Sequence, residues 1–154
     1  MKMSESTTEH KVDRTGWPSG AWDGEPDKLL WKHKGFDCMV VRNGLGALCG
    51  YVGVAEGHPW FGKDYNDVKA DAHGGLTYSD FCQGHVCHPG PEKTYWLGFD
   101  CAHSGDQVPG VMKYDGFSRR DQYRDLNYVK QEVNRLAEQA AEAAFPRLMN
   151  FKEE

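Results

Sequence analysis

Residues 36–54 read FDCMVVRNGLGALCGYVGV, and this stretch decides the fold. Phe36 to Arg42 is rich in Val and Met and suits a strand. Asn43-Gly44 follows, and Asn-Gly between apolar runs is a strong short-range hairpin signal. Ala47 to Val54 supplies the partner, so the reading is two antiparallel strands. Downstream, Thr94 to Cys101 (TYWLGFDC) is an aromatic-rich strand with Tyr95, Leu97 and Phe99 on one face and Trp96, Gly98 and Asp100 on the other. Val68 to Tyr78 opens with an alternation that sets Val68, Ala70 and Ala72 on one face and Lys69, Asp71 and His73 on the other, so Asp71 and His73 are expected to be neighbours. Gly74 and Gly75 break that strand, and Leu76 to Tyr78 resumes it across a bulge. Upstream, Lys28 to His33 reads as a short helix. Glu56 to Asp67 is too rich in Gly, Pro and Asp for a regular element and predicts an ordered loop with Trp60 and Phe61 turned inward. In GWPSGAWDGEP (16–26), two tryptophans among turn formers read as rings pinned against a core.

The C-terminal pattern is helical. Val129, Val133, Leu136, Ala137, Ala140 and Ala144 recur at the spacing of an amphipathic helix, Asp125 or Asn127 caps its start and Pro146 ends it. The expected architecture is therefore α+β: an antiparallel sheet of four to five strands, packed on one face by a long C-terminal helix. A single domain is expected over residues 16–150. Residues 1–15 are polar and without period, and predict a disordered tail.

Composition bounds the function. The chain has 154 residues, 39% of them apolar, with 18 Lys plus Arg against 23 Asp plus Glu, a formal charge of −5. Net acidity without a long basic run argues against a nucleic-acid polymer as partner, because that affinity comes mainly from neutralised phosphates. No window is apolar enough for a membrane span, and the first thirty residues contain no apolar run of the secretory kind. The expectation is a cytoplasmic protein with no membrane partner. Five cysteines, at 38, 49, 82, 87 and 101, then read as reduced thiols. No GxGxxG follows a strand and GxxxxGK[ST] is absent, which leaves a Rossmann or P-loop site unsupported.

Five of the seven histidines fall between residues 56 and 106, together with Glu56, Asp71, Asp100 and Asp106. The leading reading is acid–base or metal-assisted hydrolysis. His73 and His103 come from the ends of two strands as the catalytic pair, with Asp71, Asp100 and Asp106 orienting them or sharing a divalent metal held by His73, His103 and Asp100. Each histidine is followed by small residues (His73-Gly74-Gly75, His103-Ser104-Gly105), which opens it to a substrate. His58, Trp60, Thr77, Tyr78 and Ser79 are candidates to bind substrate, the hydroxyls by donating to a phosphoryl oxygen. Against this stands the bland alternative, that both histidines are turn residues bonded to backbone. A structural zinc site from Cys82, Cys87, His88, Cys101 and His103 is a second reading, poorly served by the Cys-x4-Cys and Cys-x-His spacings. In a third, Cys82 or Cys101 is a nucleophile activated by a histidine. Lys113, Arg119, Arg120 and Arg124 are interleaved with Asp115, Asp121 and Asp125 and read as a solvated face, with a phosphate clamp as the alternative. Tyr51, Trp60, Tyr78, Trp96 and Tyr114 are more simply core residues than base-stacking ones.

The stretches WDGEPD (22–27), CGYVGVAEGHPWFG (49–62), HGGLTYS (73–79) and GFDCAHSGD (98–106) resemble a family of small uncharacterised proteins encoded in bacteriophage and bacterial genomes. The resemblance spans roughly residues 16–115 and implies a setting, not a reaction: a phage protein in the host cytoplasm, of the kind that opposes host processes. By analogy, one such process is signalling by small immune nucleotides. The functional expectation is thus a small cytoplasmic hydrolase acting on a nucleotide-like phosphodiester. The alternatives are a binding protein that sequesters a nucleotide-derived signal, as a homo-oligomer, and an inhibitor that meets a host protein through exposed aromatics and the Arg119–Arg124 face.

Overall fold

A computed structural model of the chain describes residues 6–7, 10–87, 93–115 and 121–145. Six strands form one antiparallel sheet: β1 (Ser6–Thr7), β2 (Lys28–His33), β3 (Phe36–Arg42), β4 (Leu48–Ala55), β5 (Tyr78–Phe81) and β6 (Thr94–Asp100), in the spatial order β1-β2-β3-β4-β6-β5. A short helix α1 (Pro109–Asp115) and a long helix α2 (Leu126–Ala144) complete the α+β arrangement.

The β3–β4 hairpin pairs as read, from Arg42↔Leu48 to Asp37↔Gly53. Its connection is built by the Asn43 side chain, whose Oδ1 accepts the Leu45, Gly46 and Ala47 N–H groups, each at 3.0 Å. The left-handed position is Gly46 (φ 106°), not Gly44. The loop is accordingly longer than the two-residue turn that Asn-Gly suggests, and β4 starts one residue late.

Lys28–His33, read as a helix, is the strand β2. Lys34 and Gly35 both take positive φ (55° and 81°), the requirement of a type I′ two-residue turn, which folds His33 back onto Phe36. Leu29 and Trp31 face one side of the sheet and Leu30 the other, so both faces are buried and the alternation vanishes.

Val68–Leu76 is not a strand. Both edges of β6 are taken, by β4 and β5, and the Asp71 N–H goes instead to Gln139 Oε1 on α2 at 2.8 Å. The alternation reported burial faithfully, since Val68 and Ala72 are buried and Ala70 packs beside them. Asp71 nevertheless pairs with Arg135 at 3.2 Å, away from His73.

α2 starts at the Asp125 cap, whose Oδ1 accepts the Tyr128 N–H at 2.8 Å, and lays Val129, Val133, Leu136, Ala137 and Ala140 on the sheet. The contact is close. A Cβ on Gly50 would lie 2.5 Å from Val133 Cγ2 and 2.6 Å from Phe99 Cζ. Pro146, read as the stop, lies outside the described residues. On the other face Met39, Val41, Cys49, Tyr51 and Trp96 form a second cluster against Tyr78 and Val86.

The tail reading fails for its described part. Ser6–Thr7 pairs with β2. The Val12 N–H donates to Asp27 Oδ2 at 2.8 Å, and Arg14 donates to the carbonyls of Trp22 (2.6 Å) and Glu25 (2.8 Å) and to the Asp27 carboxylate. These bonds belong to a buried ionic network. Arg42, wholly buried, binds Asp27, Glu25, the Gly46 carbonyl and the Tyr123 hydroxyl.

The cysteine reading also changes. Cys82 and Cys87 form a disulfide across a tight loop closed by the Gln83–Val86 bridge, while Cys38, Cys49 and Cys101 are free and buried.

Candidate active site

The end of β6 and the turn after it deliver Asp100, His103 and Asp106. The Gly74-Gly75 turn delivers His73, and the start of α2 delivers Arg124 and Tyr128. Asp106 organises them. Its side chain is 2% exposed and accepts from His73 Nε2 at 2.9 and 3.0 Å, from the His103 N–H at 3.0 Å and from Arg124 Nε at 3.0 Å. Burial opposes ionisation of Asp106, but those hydrogen bonds outweigh it and hold the carboxyl below the ordinary carboxylate range.

His73 uses both ring nitrogens. With Nε2 against a carboxylate, the neutral ring carries its proton there, and Nδ1 accepts the Tyr128 hydroxyl at 2.9 Å. The result is a chain of hydrogen bonds, Tyr128–His73–Asp106. Arg124 lies over the Tyr128 ring at 5.3 Å from its centroid. Among the described residues its two Nη groups have no hydrogen-bond partner.

His103 is different. Its ring centroid is 6.0 Å from that of His73, and its Nε2 approaches Asp100 Oδ1 at 3.3 Å without the alignment of a hydrogen bond, leaving that buried atom without a hydrogen-bond partner among the described residues. Asp100 is otherwise engaged, accepting the Thr77 hydroxyl at 2.9 Å and the Ala102 N–H at 3.1 Å. Gly74 makes room for the ring, since a Cβ there would lie 2.4 Å from His103 Nε2 and Cδ2.

Of the residues expected at the site, His73, His103, Asp100, Asp106 and Thr77 come together. Five do not, among them Asp71, which pairs with Arg135. His58 is a strut. Its Nδ1 accepts the Trp60 N–H at 2.9 Å and its Nε2 donates to the Ala140 carbonyl at 2.8 Å, roughly 18 Å along α2 from Tyr128. Burial lowers its pKa and suits the neutral ring those bonds require. Trp60 belongs to the core. Tyr78 meets Tyr51 edge-on across the sheet, and the Ser79 hydroxyl accepts the Tyr65 N–H at 3.0 Å.

The metal reading is not supported either: among the described residues no three His, Cys, Asp or Glu side chains are grouped to hold an ion, and His73 spends both nitrogens on hydrogen bonds. The zinc set is broken up by the Cys82–Cys87 disulfide and by the burial of Cys101, with His88 outside the described residues. Burial, reinforced by the nearby Asp106, pushes the Cys101 thiol up, away from the thiolate a nucleophile needs. Tyr51 and Trp96 are core. Arg119, Arg120 and the side chains of Lys113, Tyr114 and Asp115 lie outside the described residues.

Two features were not read from the sequence. They are the Tyr128 hydroxyl at the start of α2, and the charges Arg42, Asp27 and Glu25 of the buried ionic network. A depression of about 650 Å³ is lined by His10, Val12, Arg14, Asp23, Glu25 and Asp27, but its guanidinium and the carboxylates of Glu25 and Asp27 are already committed to the ionic network. Among the described residues, no helix is long and apolar enough to cross a membrane. No family model matches the chain, and neither does any curated protein or solved structure.

Proposed function

We propose that the chain is a small hydrolase that cleaves a phosphodiester or similar bond in a nucleotide-like molecule, with His73 and His103 as its acid–base pair. One observation carries the reading: Asp106 draws His73, the His103 backbone and Arg124 to a single point, beside a His103 ring nitrogen that has no hydrogen-bond partner among the described residues, with Asp100 3.3 Å away. A buried polar atom without a partner calls for an explanation, and proton transfer is one. The His103 side chain is 34% exposed against 13% for His73, so the His103 ring, though not its buried Nε2, is the more open of the two to substrate, with His73 behind it. The Nη groups of Arg124 suit a phosphoryl oxygen. The resemblance of 49–62, 73–79 and 98–106 to phage and bacterial proteins supports a setting in the host cytoplasm, and a host immune nucleotide as the substrate follows from it by analogy alone.

The test is chromatography of cyclic and linear nucleotides incubated with the protein, with and without chelator. Loss of one nucleotide that is abolished by His103→Ala, with thermal unfolding nearly unchanged, is expected. A second reading is favoured by the full hydrogen bonding of His73, which also befits a structural latch in a pocket that sequesters a ligand, in a homo-oligomer, without cleaving it. Recovery of intact nucleotide on heating the purified protein, with no turnover, would sink the hydrolase in favour of that reading.

A further inference from the structure

Among the side chains gathered at Asp106, the one with nucleophilic chemistry and a base in place is Tyr128. The general signature of an activated nucleophile is a hydroxyl or thiol within hydrogen-bond reach of a base that a third group orients. Here the hydroxyl of Tyr128 lies 2.9 Å from His73 Nδ1, and His73 Nε2 lies 2.9 Å from Asp106. The tautomer this enforces leaves Nδ1 as the acceptor, which is the state a base requires. Tyr128 is also held at its backbone, through the Asp125 cap, and at its ring, beneath the Arg124 guanidinium.

We propose that Tyr128 is the catalytic nucleophile of this site and attacks the phosphorus of a phosphodiester through a covalent phosphotyrosyl intermediate, an inference that rests on the hydrolase reading above. In the first step the Tyr128 oxygen bonds to phosphorus as the bond to the leaving alkoxide breaks. The phenolic proton passes to His73 Nδ1, whose imidazolium faces Asp106, and the alkoxide takes a proton from the His103 imidazolium. In the second step water attacks the phosphotyrosyl group and gives its proton to His103. The phenolate departs and recovers its proton from His73, so both histidines return to their starting states. Burial and the neighbouring Glu132 carboxylate keep the phenol protonated at neutral pH, so the attack depends on His73 as base.

The test is labelling of the intact chain with diisopropyl fluorophosphate, followed by peptide mapping. One diisopropylphosphoryl group on Tyr128, lost in His73→Ala, is the expected result, together with a drop in nucleotide turnover of more than about 10³-fold in Tyr128→Phe. The wild-type labelling does not depend on whether either variant folds. A chain that clears nucleotide but takes no label at Tyr128 overturns the nucleophile and keeps the hydrolase. A chain labelled at Tyr128 that clears no nucleotide keeps the nucleophile and removes the nucleotide reading.

Discussion

Replacing Arg42 with methionine tests whether the buried ionic network is as tightly coupled as its geometry implies. The Arg42 side chain is 0% exposed and makes four hydrogen bonds: Nε to Asp27 Oδ1 at 2.7 Å, Nη1 to the Gly46 carbonyl at 3.0 Å and the Tyr123 hydroxyl at 2.7 Å, and Nη2 to Glu25 Oε1 at 3.0 Å. Methionine fills much of the volume but supplies no donor. Removing one partner from a buried ion pair costs roughly 3–5 kcal/mol, because the other charge stays behind. Asp27 keeps Arg14 and the Val12 N–H, and Glu25 keeps the Leu126 N–H, so the loss belongs in the lower part of that range, about 3–4 kcal/mol. For a chain of this length that is a fall in Tm of roughly 6–16 °C. Urea unfolding followed by tryptophan fluorescence reads it directly, since Trp22, Trp31, Trp60 and Trp96 are all buried. Adding Glu25→Gln to Arg42→Met removes one stranded charge, and the double variant should be less destabilised than the sum of the two singles. An Arg42→Met protein within about 1 kcal/mol of wild type, or strictly additive losses, would refute the coupling.

Gly50→Ala should cost about 1–3 kcal/mol in the same assay, because its Cβ would press on Val133 and Phe99 at 2.5–2.6 Å; an unchanged midpoint would mean that helix and sheet are not in close contact there. Asp27 is buried, which raises its pKa, but bonds from Val12, Arg14 and Arg42 more than offset this and hold it below its usual value. Its contribution is therefore present above about pH 4 and lost as pH falls through its lower folded value, so Asp27→Asn should lower stability at pH 7 and flatten the acid limb, and an acid limb of unaltered slope would contradict this. Gly74→Ala places a side chain at φ 69° and 2.4 Å from the His103 ring. On the proposed hydrolase reading, turnover should fall by more than the loss of folded protein that roughly 1–2 kcal/mol of backbone strain would cause, and full turnover would show that His103 need not stay where Gly74 lets it sit.

Local pattern made the hairpin, β6 and α2 legible: the Val- and Met-rich run before the Asn43 turn, the alternation of β6 and the spacing of Val129 to Ala140 each declare themselves within a few residues. Lys28–His33 was misread because both faces of β2 are buried, which erases the alternation, and because its turn uses Lys34, a residue with no special preference for positive φ. The alternation at Val68–Ala72 was real but encoded burial without pairing, since the neighbouring strand edges were already occupied. At the site, His73, His103, Asp100 and Asp106 were legible as a cluster because the turns that carry them are rich in glycine. His58 shared that signature and serves α2 instead, a distinction made by Ala140, far away in sequence. Tyr128 gave no local signal at all: its contact with His73 is created when α2 lies down beside the Gly74-Gly75 turn.

The ionic network and the site are joined through the same hairpin. Glu25, held by Arg42, accepts the Leu126 N–H with its second oxygen at 2.8 Å, one of the N–H groups that a helix start leaves free. Asp125 then caps the Tyr128 N–H, so the turn that carries the tyrosine is fixed to Arg42 at the end of β3. The histidine side hangs from the next strand, where the Cys101 N–H bonds the Leu48 carbonyl at 3.1 Å and Cys49 pairs with Asp100. Reciprocal bonds between the two segments, Gln122 N–H to Gly105 O at 2.8 Å and Gln107 N–H to Gln122 O at 2.9 Å, close the loop. Buried charge is a poor source of stability compared with apolar packing of the same volume. What directional hydrogen bonds supply, and a greasy contact does not, is register: the helix start is set in rotation and height against the sheet, and the 2.9 Å contact between Tyr128 and His73 depends on both.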